Sequence, residues 1–304
     1  MLKDKPLLTI FLIVFIDLLG FGLILPLLPF IAEKFNATPQ RIGLLAATYS
    51  LFQFISGPIL GRLSDRFGRK KLLIISQLGT FLGFILLAFA NSLPLLFLSR
   101  IIDGITGGNI SIAQAYIADS TDKKNRTKGM GMIGAAFGLG FIIGPTLGGV
   151  LSRGGYMLPA LVAAGISLLS IVVTSLFLKE TMGKSANQNP DTQLSLSKMV
   201  NTLKDKKLQE YTLVFFLLNL AFSSMQGIFA LWAQARFSWN AQSTGYLLGF
   251  VGLISVISQL KLLPFANKNF GELKTLKIGV PLMALGFIGM AMAPSSCHRR
   301  GTSD

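Results

Sequence analysis

Nine apolar runs recur along the 304-residue chain, and each is long enough to cross a hydrocarbon core of ~30 Å as a helix. They lie near residues 7–30, 43–60, 72–90, 94–117, 129–151, 157–178, 211–235, 244–264 and 276–293. Inside lipid every backbone N–H and C=O must find its partner within the protein, which leaves helices as the element for such runs. Half of the residues (51%) are hydrophobic, only 13% are charged, and mean hydropathy is +0.61. The fold class expected is therefore an all-α polytopic membrane protein.

A net charge of +15 would point to nucleic acid in a soluble chain. Here the cations alternate between loops. Lys3 and Lys5 precede run 1, Arg62 to Lys71 follow run 2, and Lys123, Lys124, Arg126 and Lys128 follow run 4. Lys179, Lys184, Lys198, Lys204, Lys206 and Lys207 follow run 6, and Lys268, Lys274 and Lys277 follow run 8. The opposite loops hold only Lys34 and Arg41, then Arg153, then Arg236. The positive-inside rule then places the N-terminus in the cytoplasm. The charge is a topology signal, and no nucleic-acid partner is expected. The single cysteine, Cys297, excludes an internal disulfide,. Run 1 is long and has no small-x-small cleavage site behind it, so it reads as an uncleaved span.

Residues 1–178 carry six runs. A polar stretch follows over 179–210: Gly183 to Gln193 read as a flexible linker, and Leu196, Met199, Val200 and Leu203 as one face of a short helix at the membrane surface,. Residues 211–293 hold three more runs, and 294–304 form an atypical tail with Cys297, His298, Arg299 and Arg300. Asn269-Phe-Gly-Glu-Leu-Lys274 after run 8 echoes Arg66-Phe-Gly-Arg-Lys-Lys71 after run 2, a weak internal repeat that supports two halves of common design.

The turn Gly61-Arg-Leu-Ser-Asp-Arg-Phe-Gly-Arg-Lys-Lys71 holds five cations, one acid and two glycines, and cations at that density stay out of hydrocarbon. This turn closely resembles the loop between helices 2 and 3 of the major facilitator superfamily of secondary transporters. Arg100-Ile-Ile-Asp-Gly-Ile-Thr-Gly-Gly108 resembles that family's R-x-x-x-G-x-x-G-G motif. Gly140-Phe-Ile-Ile-Gly144-Pro145-Thr-Leu-Gly148-Gly149 matches its antiporter motif. Asp17-Leu-Leu-Gly-Phe-Gly-Leu-Ile-Leu-Pro-Leu-Leu-Pro29 is similar to the first span of tetracycline-efflux-like drug/proton antiporters. The resemblance implies twelve helices in two halves. The first half is complete here and the second stops after its third helix, so a truncated or frameshifted product is the expectation.

Asp17 stands midway along run 1, where an intramembrane carboxylate costs roughly 2.5–3.5 kcal/mol on insertion scales and is a functional candidate by default. The resemblance assigns such an acid to proton or cation handling; a structural hydrogen bond to a neighbouring helix is the alternative. Asp103, at i+3 from Arg100, either compensates that buried cation or shares in proton coupling. Gly140, Gly144 and Gly148 form a small-residue ridge for close helix approach, and Pro145 removes a backbone donor. Substrate-cavity candidates are the polar sets Tyr49, Gln53 and Ser56 in run 2 and Asn219, Ser223 and Gln226 in run 7, each at i, i+4, i+7 spacing,. Run 4 adds Asn109 and, from a stripe of Arg100, Asp103, Gly107, Ser111 and Gln114, Arg100 and Gln114,. Interhelical hydrogen bonds are the competing role for each. By resemblance, Gly61, Asp65, Arg66, Gly68 and Arg69 form a cytoplasmic gate, with Asp119 pairing Arg66 or Arg69.

No metal-ligand spacing, phosphate loop or dinucleotide fingerprint occurs in the sequence, so neither an enzyme nor a cofactor is expected. The function implied is proton-coupled efflux of a small amphipathic or cationic drug-like compound by alternating access, in a bacterial inner membrane. Its partners would be the lipid bilayer, the substrate and protons. A non-transporting fragment and a carrier without proton coupling stand as alternatives.

Overall fold

Proline and glycine decide where the helices stop. The computed structural model describes residues 5–121, 123–181 and 206–294. Run 1 is not one helix over 7–30. α1 (Lys5–Ile24) ends ahead of Pro26, which has no N–H to continue the ladder, and α2 (Leu28–Glu33) restarts with Pro29 in its first turn. Thr38 caps α3 (Pro39–Phe67) by accepting a hydrogen bond from the Arg41 N–H at 3.4 Å,. α4 (Arg69–Ala88) follows directly through Gly68. Run 4 is two helices, α5 (Leu93–Thr106) and α6 (Asn109–Ser120), broken at Gly107-Gly108. α7 (Lys123–Leu151) and α8 (Met157–Phe177) complete the first six runs. Beyond them come α9 (Lys206–Phe237), α10 (Ala241–Ile257), a π turn over Ser258–Leu262, α11 (Leu263–Phe270) and α12 (Glu272–Met292).

Among the described residues, eight helical segments are long and apolar enough to cross a membrane, with α5 and α6 counted as one. The run near 244–264 differs from the expected single span. Its helix, α10, has 17 residues and passes through the π turn into α11. Pro264 lies in the first turn of α11, and its missing N–H interrupts the regular ladder there. The interfacial helix carrying Leu196, Met199, Val200 and Leu203, the Gly183–Gln193 linker and the tail with Cys297, His298, Arg299 and Arg300 lie outside the described residues.

α1 packs on α7 and α8, α4 on α5 and α8, and α3 on α5, while α10 packs on α7. The buried residues divide into two apolar clusters. One, at the end away from the Gly61–Lys71 turn, includes Leu23, Leu27, Phe84, Leu96 and Ala163. The other, toward the turn, includes Ile13, Leu18, Leu73, Ile112 and Tyr116. In helix after helix the buried polar side chains fall between the two. Ser76 and Gln77 lie between Leu73 and Phe84 on α4, Arg100 and Asp103 follow Leu96 on α5, and Ser167 and Ser170 lie between Ala164 and Leu178 on α8. Asp17, just ahead of Leu18 on α1, stands in this polar layer.

The antiporter-motif glycines face two partners. A Cβ on Gly144 would stand 2.8 Å from the Gly22 backbone carbon on α1, and one on Gly140 would stand 2.8 Å from the Leu18 Cβ. Gly148 meets the Leu23 carbonyl on the same side. Gly149 turns instead to α10, where its Cβ would lie 3.1 Å from the Gln242 carbonyl oxygen. On α10 itself Gly245, Gly249 and Gly252 answer this face, so α7 is clamped between α1 and α10.

Candidate functional site

A cavity of about 380 Å³ opens beside the polar layer, lined by Asp17, Tyr49, Gln53, Asp103, Asn109, Ser223 and Gln226 among apolar and aromatic side chains that include Phe21, Phe84 and Phe137. Its size and its mixture of apolar and aromatic surface with convergent polar groups suit a small organic ligand,. Of the cavity candidates in the sequence, Tyr49, Gln53, Asn109, Ser223 and Gln226 converge on it. Arg100 lies behind the wall, 3% exposed, with its Nη1 3.2 Å from Asp103 Oδ2 and its guanidinium over the Phe84 ring. Gln114 and Asn219 are exposed and do not line it. Asn219 donates to the Phe215 carbonyl of its own helix at 2.8 Å.

The two carboxyls on the cavity wall have different company. Asp103 is paired with Arg100 and has the Thr80 hydroxyl as a second partner. Asp17 accepts from Asn109 Nδ2 at 2.9 Å and also contacts Ser170 and Gln77. All three are neutral, and among the described residues no cation is bonded to Asp17. Sequence reasoning does not single out Gln77 or Ser170. Their signal is a polar residue in the middle of each of runs 3 and 6, at the level of Asp17.

The break in run 4 explains the polar stripe of α3. Interrupting a helix leaves carbonyls without their regular donors; Gly107 and Gly108 N–H reach those of Gly104 and Thr106, and three neighbouring side chains add further bonds. Ser56 Oγ donates to the Gly104 carbonyl at 2.8 Å, Gln53 Nε2 to the Gly107 carbonyl at 3.2 Å, and Ser76 Oγ to the Thr106 carbonyl. Gln53 Nε2 also reaches the Tyr49 hydroxyl at 2.8 Å. The Tyr49, Gln53 and Ser56 stripe therefore combines both roles open in the sequence, cavity wall and helix contact.

At the turn, Asp119 pairs with Arg69 rather than Arg66: Arg69 Nε donates to Asp119 Oδ2 at 2.8 Å. Asp65 joins the same guanidinium, and Arg69 Nη1 donates to Ser64 Oγ at 2.6 Å and to the Gly61 carbonyl at 3.3 Å. Arg66 is exposed, with its guanidinium on the Phe67 ring. Glu180, just past α8, accepts from the Arg69 N–H at 2.9 Å; it lies far from the turn in sequence, which hides it there. Gly68 has φ +102° and ψ +141°, a conformation essentially reserved for glycine. A Cβ on it would also lie 2.8 Å from the Glu180 carboxyl carbon. Gly68→Ala is therefore expected to cost about 1–3 kcal/mol and to free Glu180, seen as a lower unfolding temperature of the purified protein in detergent. The equivalent glycine of the repeat, Gly271, also follows a Phe, joins two helices and has φ +76°.

At the far end, polar contacts join the first six runs to the later helices. Gln234 Nε2 donates to Glu33 Oε2 at 3.0 Å, and Arg153 Nε donates to Gln242 Oε1 at 2.9 Å. Among the described residues no group of three or more His, Cys, Asp or Glu is placed to hold a metal ion.

The tetracycline resistance protein, class H, of Pasteurella multocida is 35% identical over 294 residues, covering 95% of this chain and 73% of that protein. The class B protein of Escherichia coli is 33% identical over 273 residues, covering 88% of this chain and 68% of its own length. Among solved structures, the human organic anion transporter MFSD10 (TETRAN) superposes with a TM-score of 0.67 at 25% identity, covering 84% of this chain and 71% of that one. The Major Facilitator Superfamily profile matches residues 10–300. This chain is thus a multi-pass integral membrane protein, a transporter-type chain rather than an enzyme, and it belongs to the Major Facilitator Superfamily.

Proposed function

We propose that the chain performs proton-coupled efflux of a small amphipathic or cationic drug-like compound by alternating access. The observation that carries this reading is the contrast on one cavity wall: Asp103 is neutralised by Arg100, while Asp17 is held only by neutral donors. A carboxyl so placed is free to exchange a proton or to meet a cationic substrate, and either event changes the charge facing the cavity. Substrate enters between the halves and stacks against Phe21, Tyr49 and Phe137. Protonation of Asp17 from the far side weakens its hold and favours release. With the N-terminus cytoplasmic in a bacterial inner membrane, the Gly61–Lys71 turn faces the cytoplasm. Gly61, Asp65, Arg66, Gly68, Arg69 and Asp119 then gate that side, and the ion-pair network selects between states.

The likeness to tetracycline resistance proteins makes tetracycline the first probe, with a fluorescent cationic dye as the second. Energised cells making this 304-residue chain are expected to accumulate less of either compound than empty cells, and a protonophore should abolish the difference. Equal accumulation in both, with the protein confirmed in the membrane, would overturn the proposal. Efflux that persists under the protonophore would remove the proton coupling.

A further inference from the structure

We propose that Asn109 is a positioning residue that senses the protonation of Asp17 and passes it to the break in run 4. This rests on the reading of Asp17 as the proton carrier. Asn109 is the first residue of α6, directly after the Gly107-Gly108 interruption. Its Nδ2 donates to Asp17 Oδ2 at 2.9 Å, while its Oδ1 is buried without a partner.

An amide carries a donor and an acceptor on the same short arm. Toward a carboxylate it presents Nδ2, the bond seen here. When the proton sits on Oδ2, the oxygen bonded here, that O–H donates and a half-turn of the amide presents the unused Oδ1. Each state of Asp17 therefore fixes a different orientation of Asn109. At the start of α6 that orientation bears on a backbone already released from regular helix. Here Gly107 N–H bonds to the Gly104 carbonyl at 3.1 Å and Gly108 N–H to the Thr106 carbonyl at 2.8 Å. The Gly104 and Thr106 carbonyls also accept from Ser56 and Ser76, and that of Gly107 accepts from Gln53, so a shift of α6 is felt by α3 and α4 together.

The titratable and charged groups that also bear on this site are Asp103 and Arg100 on α5 and Tyr49 on α3. The other elements touching Asp17 contribute neutral Gln77 and Ser170. Asp103 is occupied by Arg100, which leaves Asn109 as the group that both bonds Asp17 and stands at the break.

The test has a spectroscopic and a transport arm, both on the full chain. In pH-difference infrared spectra of the purified protein, the C=O stretch of protonated Asp17 is identified by its loss in Asp17→Asn, with Asp103→Asn as the control for assignment. Asn109→Ala should shift that band. Should Asn109→Ala fail to fold, Asn109→Gln, which keeps the amide but extends its reach, should shift it as well. In vesicles, uphill tetracycline efflux by Asn109→Ala should fall about tenfold further than tetracycline counterflow does, the change expected from one lost hydrogen bond to a charged group. A band that Asp17→Asn removes but Asn109→Ala and Asn109→Gln leave in place would overturn the role of Asn109 while Asp17 keeps its own. A shifted band with no change in the efflux-to-counterflow ratio would overturn the transmission to the break. If no band is lost in Asp17→Asn, the underlying reading of Asp17 fails instead.

Discussion

Asp17→Asn is expected to reduce uphill efflux to background while leaving a measurable downhill flux. The substitution keeps the shape of the side chain and an acceptor oxygen for its neighbours Asn109, Ser170 and Gln77, turns the other oxygen into a donor, and removes the ability to take up and lose a proton. One elementary charge moved through 100 mV releases about 2.3 kcal/mol, enough to sustain a substrate gradient of roughly 50-fold for each proton exchanged. With an amide at position 17 that free energy has no group to act on, and the steady-state gradient should fall to unity. Efflux against a gradient and efflux down one, measured in the same vesicles, check this. A mutant that still concentrates substrate would move the proton site elsewhere. Stability separates coupling from architecture. An intramembrane carboxylate carries an insertion cost of roughly 2.5–3.5 kcal/mol, so its neutral isostere should unfold at the same temperature or higher. A marked loss of stability would instead make Asp17 a structural brace between α1 and its neighbours.

Much of this arrangement was legible in the sequence, and the reasons differ by element. The apolar runs and the Gly61–Lys71 turn are local signals, set by the hydrocarbon thickness and by the cost of burying cations, so their places could be read one residue at a time. Asp17 was legible because an acid in such a run has no cheap explanation. The partition of the other polar residues was not. Arg100, Asp103 and Gln114 fall on one stripe of an unbroken helix, but the interruption at Gly107-Gly108 leaves Gln114 exposed and outside the cavity wall. The two glycines of that motif were visible, yet whether a glycine pair breaks a helix depends on donors elsewhere to satisfy the freed carbonyls. Here Gln53, Ser56 and Ser76, from two other helices, donate alongside the Gly107 and Gly108 N–H groups. Glu180 and Gln77 share this dependence, since their partners are more than 90 residues away. Asn219 shows the converse: an intramembrane amide need not seek a cavity when a carbonyl one turn back on its own helix satisfies it.

Gly245→Leu is the second large effect to expect, with loss of transport and of folded protein together. The sequence of α10 reads Gly245-x-x-x-Gly249-x-x-Gly252, a spacing of small residues that lets two backbones approach in lipid. In the structure it meets the Pro145 face of α7. Because Pro145 has no N–H, the Phe141 carbonyl loses its helical donor, and a Cβ on Gly252 would lie 2.9 Å from that oxygen. A Cβ on Gly245 would lie 2.9 Å from the Gly149 Cα and strike the Pro145 carbonyl; on Gly249 it would meet the Thr146 hydroxyl. At Gly245 the obstacles are backbone atoms, which cannot rotate away as a side-chain end can. Overpacking of this kind costs about 1–3 kcal/mol or more, and the close fit of α10 on α7 would be lost with it. Gly279→Leu on α12 is the matching control, since nothing lies within 4 Å of a Cβ there, and a change at such a site is expected to stay within about 0.5 kcal/mol. Unfolding temperature and folded yield in detergent should fall for the first and hold for the second. Equal behaviour of the two would mean that the α7–α10 contact does not hold the first six runs to the later helices. The apolar packing of Ala230 and Ala241 in the first cluster and the far-end bonds of Glu33 with Gln234 and of Arg153 with Gln242 would then have to carry that junction.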